Sequence, residues 1–300
     1  MHASAPSSPR VAVLYSGRWN GYITQSLVEN HLRSLILPNL PVHVVVAVSP
    51  SQWCVPGGPK RGTLILAEHG LRQNETWSYT TQKAKLEADV ENVFQAALRK
   101  VTADPKSVMR QLHVQADLID DGAGKLDLDH QQAKRAAAQH GSAPLSNLEL
   151  RGGHNWRHQA TKLVRAEALR RASGREADVV IRARLDALFT RNISVKASIN
   201  FTSDAFRKGR IVYAYQRLMR NISYLRDWTF VTSPKGMSDI FSKFEQSTLL
   251  HNAAMRCGGL CPEEQWWQQI LHAGAQVARL DDTWYSLLER RKCDPTLLTT

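Results

Sequence analysis

A run of apolar residues between Asp178 and Phe189, D-V-V-I-R-A-R-L-D-A-L-F, closes on three charged groups. Drawn out as a strand, it puts Val180, Arg182, Arg184 and Asp186 on one side and Val179, Ile181, Ala183 and Leu185 on the other. Burying two cations and a carboxylate without partners would cost several kcal/mol. The pattern therefore predicts a strand whose carboxyl end opens to water or to a charged ligand. A second basic set, His158, Lys162 and Arg165, falls at i, i+4 and i+7 and forms one stripe of a predicted helix from Trp156 to Ser173, which feeds that strand. A third set is Cys261-Pro262-Glu263-Glu264, where two acids sit in the first turn of a predicted helix. The positive end of a helix favours their ionised form, which is the form that accepts a proton.

These residues need elements to position them. Arg10 to Tyr15 reads as a strand ending at Ser16, Gly17 and Arg18, followed by an amphipathic helix from about Thr24 to Leu37 and a second β-branched strand from Val42 to Val48. Two buried strands joined by a helix make a βαβ unit, hence a mostly parallel sheet with helices on both faces. Leu64 to Ala67 reads as a short third strand. Helical periodicity runs from Thr81 to Val101, and polar chain rich in Ala, Gln, Asp and His follows, so residues 74–151 are expected to form a helical insertion. The triplet Asp127-Leu128-Asp129 inside it has no apolar strand before it and reads as a solvated helix start.

Trp156, Ala160, Leu163, Val164 and Ala168 are expected on the buried side of the helix before the Asp178 run, and Gly174 ends it. Further on, Ile211 to Tyr215 and Trp228 to Thr232 read as strands, the second introduced by Asp227. Ser233-Pro234 opens a helix to about Phe244, and Val277 to Leu280 closes the sheet. Trp266 and Trp267 have the spacing of core residues, with stacking on a sugar ring as the alternative. Residues 1–9 and 290–300 read as loosely ordered tails around a single domain of 10–289.

The chain has 300 residues, with 39 Lys and Arg against 27 Asp and Glu, a net charge of +12. That balance invites an anionic partner: nucleic acid, an acidic membrane surface or a phosphorylated molecule. No window approaches the ~20 apolar residues of a membrane span, so any membrane contact is expected to be peripheral. Cys54, Cys257, Cys261 and Cys293 lack the paired spacing of a structural zinc site. No G-x-G-x-x-G, P-loop, H-E-x-x-H or G-x-S-x-G motif occurs, which removes the usual dinucleotide-binding, P-loop and hydrolase readings.

The order of these pieces resembles the GT-A type glycosyltransferases, and more narrowly lipopolysaccharide-synthesis type proteins in which a sheet strand ends in R-x-R-x-D. The residues that carry the resemblance are Val11 to Arg18, Trp156 to Phe189, Asp227 to Thr232 and Pro262 to Leu271. It implies a GT-A-like (Rossmann-like) α/β fold, a nucleoside-diphosphate sugar as donor and a glycan or glycoconjugate hydroxyl as acceptor. It places Ser16, Gly17 and Arg18 at the nucleotide, and Asp186 where the last acid of a D-x-D motif would bind Mn or Mg. Arg184 stands where the first acid would be, so the implied phosphate ligands include Arg182 and Arg184, with His158, Lys162 and Arg165 beside them. Glu264 is the implied base, Glu263 its alternative, and Asp227 a further candidate beside an acceptor hydroxyl. A base of this kind implies single displacement with inversion.

The competing expectations are a basic nucleic-acid-binding protein, for which Arg165 to Arg175 and Arg207 to Arg220 offer charge but no aromatic ladder, and a GT-A-like scaffold without catalysis. A cytoplasmic setting is the direct expectation. The four sequons at Asn74, Asn192, Asn200 and Asn221 keep a Golgi-lumenal fragment as the alternative.

Overall fold

The computed structural model describes residues 9–19, 25–50, 79–118, 162–185, 187–219 and 222–241, and toward the C-terminus 267, 270–271, 273–280 and 285–287. The β-branched run after Arg10 forms β1 (Val11–Trp19). Helix α1 (Gln25–His31) continues into a π-helical turn over Leu32–Ile36 and a 3₁₀ turn over Leu37–Asn39. Strand β2 (Val42–Pro50) follows, and then α2 (Tyr79–Val101), α3 (Pro105–Gln111) and β3 (Leu112–Leu118). Helix α4 (residues 162–172) leads to β4 (Val179–Ala183), β5 (Ala187–Phe189), α5 (Val195–Ser198) and α6 (Asp204–Arg207). Strands β6 (Ile211–Met219) and β7 (Ile222–Thr232), α7 (Pro234–Gly236) with its π-helical turn Met237–Phe241, β8 (Gln276–Arg279) and β9 (Tyr285–Leu287) complete the described chain.

Seven strands form one sheet in the order β3-β2-β1-β4-β7-β6-β8, and β5 pairs with β9 in a separate two-stranded sheet. β1, β2, β3 and β4 are mutually parallel, β7 runs antiparallel to β4 and β6, and β8 is parallel to β6. Helices cover both faces, which is the expected GT-A-like α/β arrangement. No helix among the described residues is long and apolar enough to cross a membrane.

The two faces of the sheet bury different sets. One carries Val11, Val13, Tyr15, Val44, Val46, Val179, Ile181 and Ala183 against Val28, Leu32, Leu35 and Ile36 of α1 and its extension and Val90, Phe94, Ala97 and Leu98 of α2. The other carries Ala12, Leu14, Val45, Ala47, Val180 and Phe230 against Leu163 and Ala166 of α4, Met237, Ile240 and Ile270. Strand residues thus alternate between two buried faces, as parallel strands covered on both sides must.

Two local expectations need correction. β3 lies inside the stretch read as helical and polar: Leu112, Val114 and Ala116 join the α2 face, and His113, Gln115 and Asp117 point to the α4 face. Asp227 stands within β7 and not at a strand start, because β7 begins at Ile222 and forms a long hairpin with β6. Leu64 to Ala67, the Asp127 triplet and all four cysteines lie outside the described residues. Two expectations about boundaries hold. Ser233 caps α7 by accepting from the Gly236 N–H at 3.1 Å, and Gly174, with φ 65°, adopts the left-handed conformation that ends α4.

Candidate functional site

In open α/β sheets ligands bind outside the carboxyl ends of the parallel strands, where the strand order reverses. Here the chain builds outward from β1 to β2 and β3, and β4 then adds on the other side of β1, so the reversal falls between β1 and β4. That is where the apolar run of β1 ends in Ser16 and that of β4 ends in Arg182 and Ala183.

Arg182 is 1% exposed, aligned with Leu14 of β1 on one side and Phe230 of β7 on the other. Its Nε donates to the Ser16 hydroxyl at 3.3 Å, and its guanidinium carbon lies 5.8 Å from the centre of the Phe230 ring. A guanidinium does not deprotonate under these conditions, so the sheet carries a permanent positive charge at this edge. The ring face of Phe230 offsets part of the lost hydration. Gly17 follows with φ 155°, a backbone conformation that residues with a side chain rarely adopt, and open space where a Cβ would stand.

Helix α4 runs opposite to the parallel strand it feeds, so its first residues stand at the same carboxyl edge. Lys162 there is 2% exposed. Arg165 projects outward and donates through Nε to Asp117 of β3 at 2.7 Å, the carboxylate being 4% exposed. Two residues on, Glu167 accepts two 2.7 Å bonds from Arg170 and one from the Ser238 hydroxyl at 3.0 Å, a buried ion pair that fixes α4 against the turn after α7. The basic stripe is therefore split: Lys162 is inside and Arg165 outside. Leu163, Ala166, Glu167 and Arg170 set the buried side of α4, and Ala168, expected there, is exposed.

The chain after β4 does not continue as the single strand expected from Asp178 to Phe189. β4 ends at Ala183, the Ala187 N–H donates back to the Arg184 carbonyl at 3.2 Å, and β5 belongs to the other sheet. Arg184 is half-buried and lies beyond the end of the strand. The reason lies in α1. Asn30 donates to the Phe189 carbonyl and accepts from the Phe189 N–H, both at 2.9 Å, taking the place of a neighbouring strand. His31 joins the Tyr15 hydroxyl (2.9 Å) to the Ala187 carbonyl (2.5 Å). Because a carbonyl only accepts, His31 Nε2 carries the proton and Nδ1 accepts from Tyr15. Asn39 holds the Leu35 and Ile193 carbonyls and the Val195 N–H at 2.6 to 2.8 Å.

At the amino end of β4, Asp178 accepts from the Arg10 N–H at 2.8 Å and from its guanidinium, and Glu176 pairs with the same guanidinium. The Arg10 side chain holds the Asp178 carboxyl below the usual carboxylate range. This pairing registers the starts of β1 and β4 far from the ligand edge.

Of the residues singled out from the sequence, the structure brings together Ser16, Gly17 and Arg182, with Lys162 and Arg165 on the helix covering the same face. Arg18 and Asp227 are described only through their strands. His158, Asp186, Glu263 and Glu264 lie outside the described residues. Trp267 packs against the second core cluster, as a core residue would. Sequence reasoning missed Asp117; its signal is the alternation L-H-V-Q-A-D-L, whose polar positions share one face of β3. Among the described residues no three His, Cys, Asp or Glu side chains come together, and the Asp117 carboxylate is bonded to Arg165. The buried Arg182 and Lys162 at this edge suit an anion.

No family model and no curated protein matches the chain. Among solved structures, mouse xyloside xylosyltransferase 1 in its apo form is similar at 10% identity with a TM-score of 0.39, over 91% of this chain and 85% of that one. The apo structure of the bifunctional glycosyltransferase WbbM is similar at 10% identity with a TM-score of 0.36, over 93% of this chain and 40% of that one. Likeness at this level says nothing about substrate or mechanism, so the chemistry has to come from the site itself.

Proposed function

We propose that the chain is a glycosyltransferase that moves a hexosyl or pentosyl group from a nucleoside-diphosphate sugar to a hydroxyl of a glycan or glycoconjugate. The observation that carries this reading is the buried, permanently charged Arg182, bonded to Ser16 where the strand order reverses between β1 and β4. A cation fixed at such a crevice before the ligand arrives stabilises negative charge without reorganising, which is what a departing nucleoside diphosphate requires. Ser16 and the Gly17 backbone approach the donor, Lys162 adds a second cation from α4, and Asp117 sets the direction of Arg165.

The acceptor hydroxyl must lose a proton as the new bond forms. Glu264 is proposed as that base, Glu263 as its alternative and Asp227 as a residue beside the acceptor. Attack by the hydroxyl on the face opposite the diphosphate gives inversion. Arg18, His158 and Arg184 are proposed as further donor contacts. Asp186 is the one residue proposed to bind Mn or Mg, and no step of the transfer depends on it.

The test is a panel of nucleoside diphosphates, with and without Mn, measured by thermal shift, followed by donor hydrolysis, which needs no acceptor. One nucleotide should raise the melting temperature, and its sugar conjugate should be hydrolysed slowly. Binding without hydrolysis or transfer would indicate a scaffold. No nucleotide response together with tight, salt-sensitive binding of nucleic acid would replace the proposal with the nucleic-acid reading.

A further inference from the structure

The α4 face of the sheet carries a second polar group, at the amino ends of the strands, that the transfer reaction does not use. His43 of β2 and His113 of β3 are directly paired in parallel register, which sends both side chains out of the same face about 5 Å apart. Their ring centres are 5.1 Å apart and tilted by 42°, so a small rotation of each ring turns one nitrogen of each toward a shared point. His43 is 6% exposed, and neither of its ring nitrogens makes a well-formed hydrogen bond, although the Gln115 side chain lies close enough to act on it. The side-chain oxygen of Gln115, two residues beyond His113 on that face, is likewise buried without one. A neutral imidazole has one donor and one acceptor, and leaving both unmade beside an unmade amide oxygen is uncommon in a folded protein.

Burial, and after it His113, Arg175 and Arg170, push the His43 imidazole down to about 4 against an opposing contact from the Gln115 side chain; His113 is lowered as well, chiefly by burial. Both rings are therefore neutral at pH 7, the form in which an imidazole ligates a metal. The two guanidinium groups would oppose a cation, but Arg170 is matched by Glu167 through two 2.7 Å bonds, and Arg175 is exposed to water. Two imidazoles with an amide oxygen suit zinc, nickel or copper, and not the magnesium or manganese that an all-oxygen set would take.

We propose that His43, His113 and the side-chain oxygen of Gln115 bind a divalent transition-metal ion of the zinc class, with water completing the tetrahedron. The site is independent of the glycosyltransferase reading and would tie the edge strand β3 to β2. The test is calorimetric titration of the metal-free full chain with zinc at pH 7.5, comparing the parent with His43→Phe, His113→Phe and Gln115→Leu. Both histidine variants should lose one zinc equivalent, or bind it at least tenfold more weakly, and zinc should raise the melting temperature of the parent but not of the variants. Gln115→Leu should weaken binding by a smaller factor. Other histidines supply a common background, so only differences between proteins are read. If His43→Phe fails to fold, His113→Phe, at a part-exposed edge position, decides. Equal stoichiometry, affinity and thermal shift in the parent and His113→Phe would overturn the proposal, and so would a zinc-soaked crystal with only a water between His43 and Gln115.

Discussion

The two faces of the central sheet solve different problems with the same strands. On the α1/α2 face the polar side chains Asn30, His31 and Asn39 bond mainly to backbone groups, around a large apolar cluster. On the α4 face Arg182, Lys162, Asp117, Glu167 and Arg170 are all buried, with His43 beside them. Polar residues of the first kind satisfy groups that folding would otherwise strand, and they need no ligand. Charged residues of the second kind are costly to desolvate, and their concentration on one face is what the proposed donor site draws on.

Substitutions on the two faces should therefore separate activity from stability. The largest effect expected is that of Arg182→Met: donor hydrolysis or transfer should fall by about 10²–10³-fold. Arg182→Lys should recover little, because an ammonium cannot reproduce the guanidinium's bond to Ser16 together with its contact to Phe230. Steady-state kinetics beside a melting curve checks this, and full activity in Arg182→Met would remove the site. On the other face, His31→Leu strands the Tyr15 hydroxyl and the Ala187 carbonyl. It should cost about 2–6 kcal/mol in denaturant unfolding, at about 1–3 kcal/mol for each unsatisfied buried group. A drop in activity greater than the loss of folded protein would show that the two faces are not separable.

The metal-free chain should also lose stability in acid. The folded value of His43 is about 4, below the ordinary value of 6.5, so the unfolded chain binds the proton more readily. Stability is intact above pH 6.5 and declines as the pH falls toward 4, by about 2–3 kcal/mol in total. Chemical denaturation across that window should show a shallower acid limb in His43→Phe; an unchanged limb would mean that other groups dominate. The smallest effect is expected of Asp117→Asn, which slackens the hold on Arg165. The donor KM should rise by about three- to tenfold with kcat nearly kept, and a matching loss of kcat would place Asp117 closer to the reacting atoms.

Strands β1, β2 and β4 were legible because each is a short β-branched or apolar run buried on both faces, a pattern that depends on neighbouring residues alone. The switch-point residues Ser16 and Arg182 were legible for the same reason, being the first polar positions on such runs. β3 was not, since His113, Gln115 and Asp117 dilute its apolar signal and only pairing with β2 makes it a strand. The end of β4 was hidden too. The residues Ala187 to Phe189 are as apolar as those before them, and what draws them off the sheet is Asn30 and His31, more than 150 residues away. The rotation of α4 followed from the Glu167–Arg170 pair, which reads on paper as two solvent-facing charges.

The parallel pairing of β1 with β4 joins residues 11–15 to residues 179–183. During synthesis, the inner edge of β1 must wait for some 165 further residues before its partner exists, and until then it presents an open apolar edge able to capture another chain. Nascent protein is thus exposed to mispairing for most of its translation, and slowing elongation or withholding chaperones should lower the soluble yield far more than the stability of the finished fold implies.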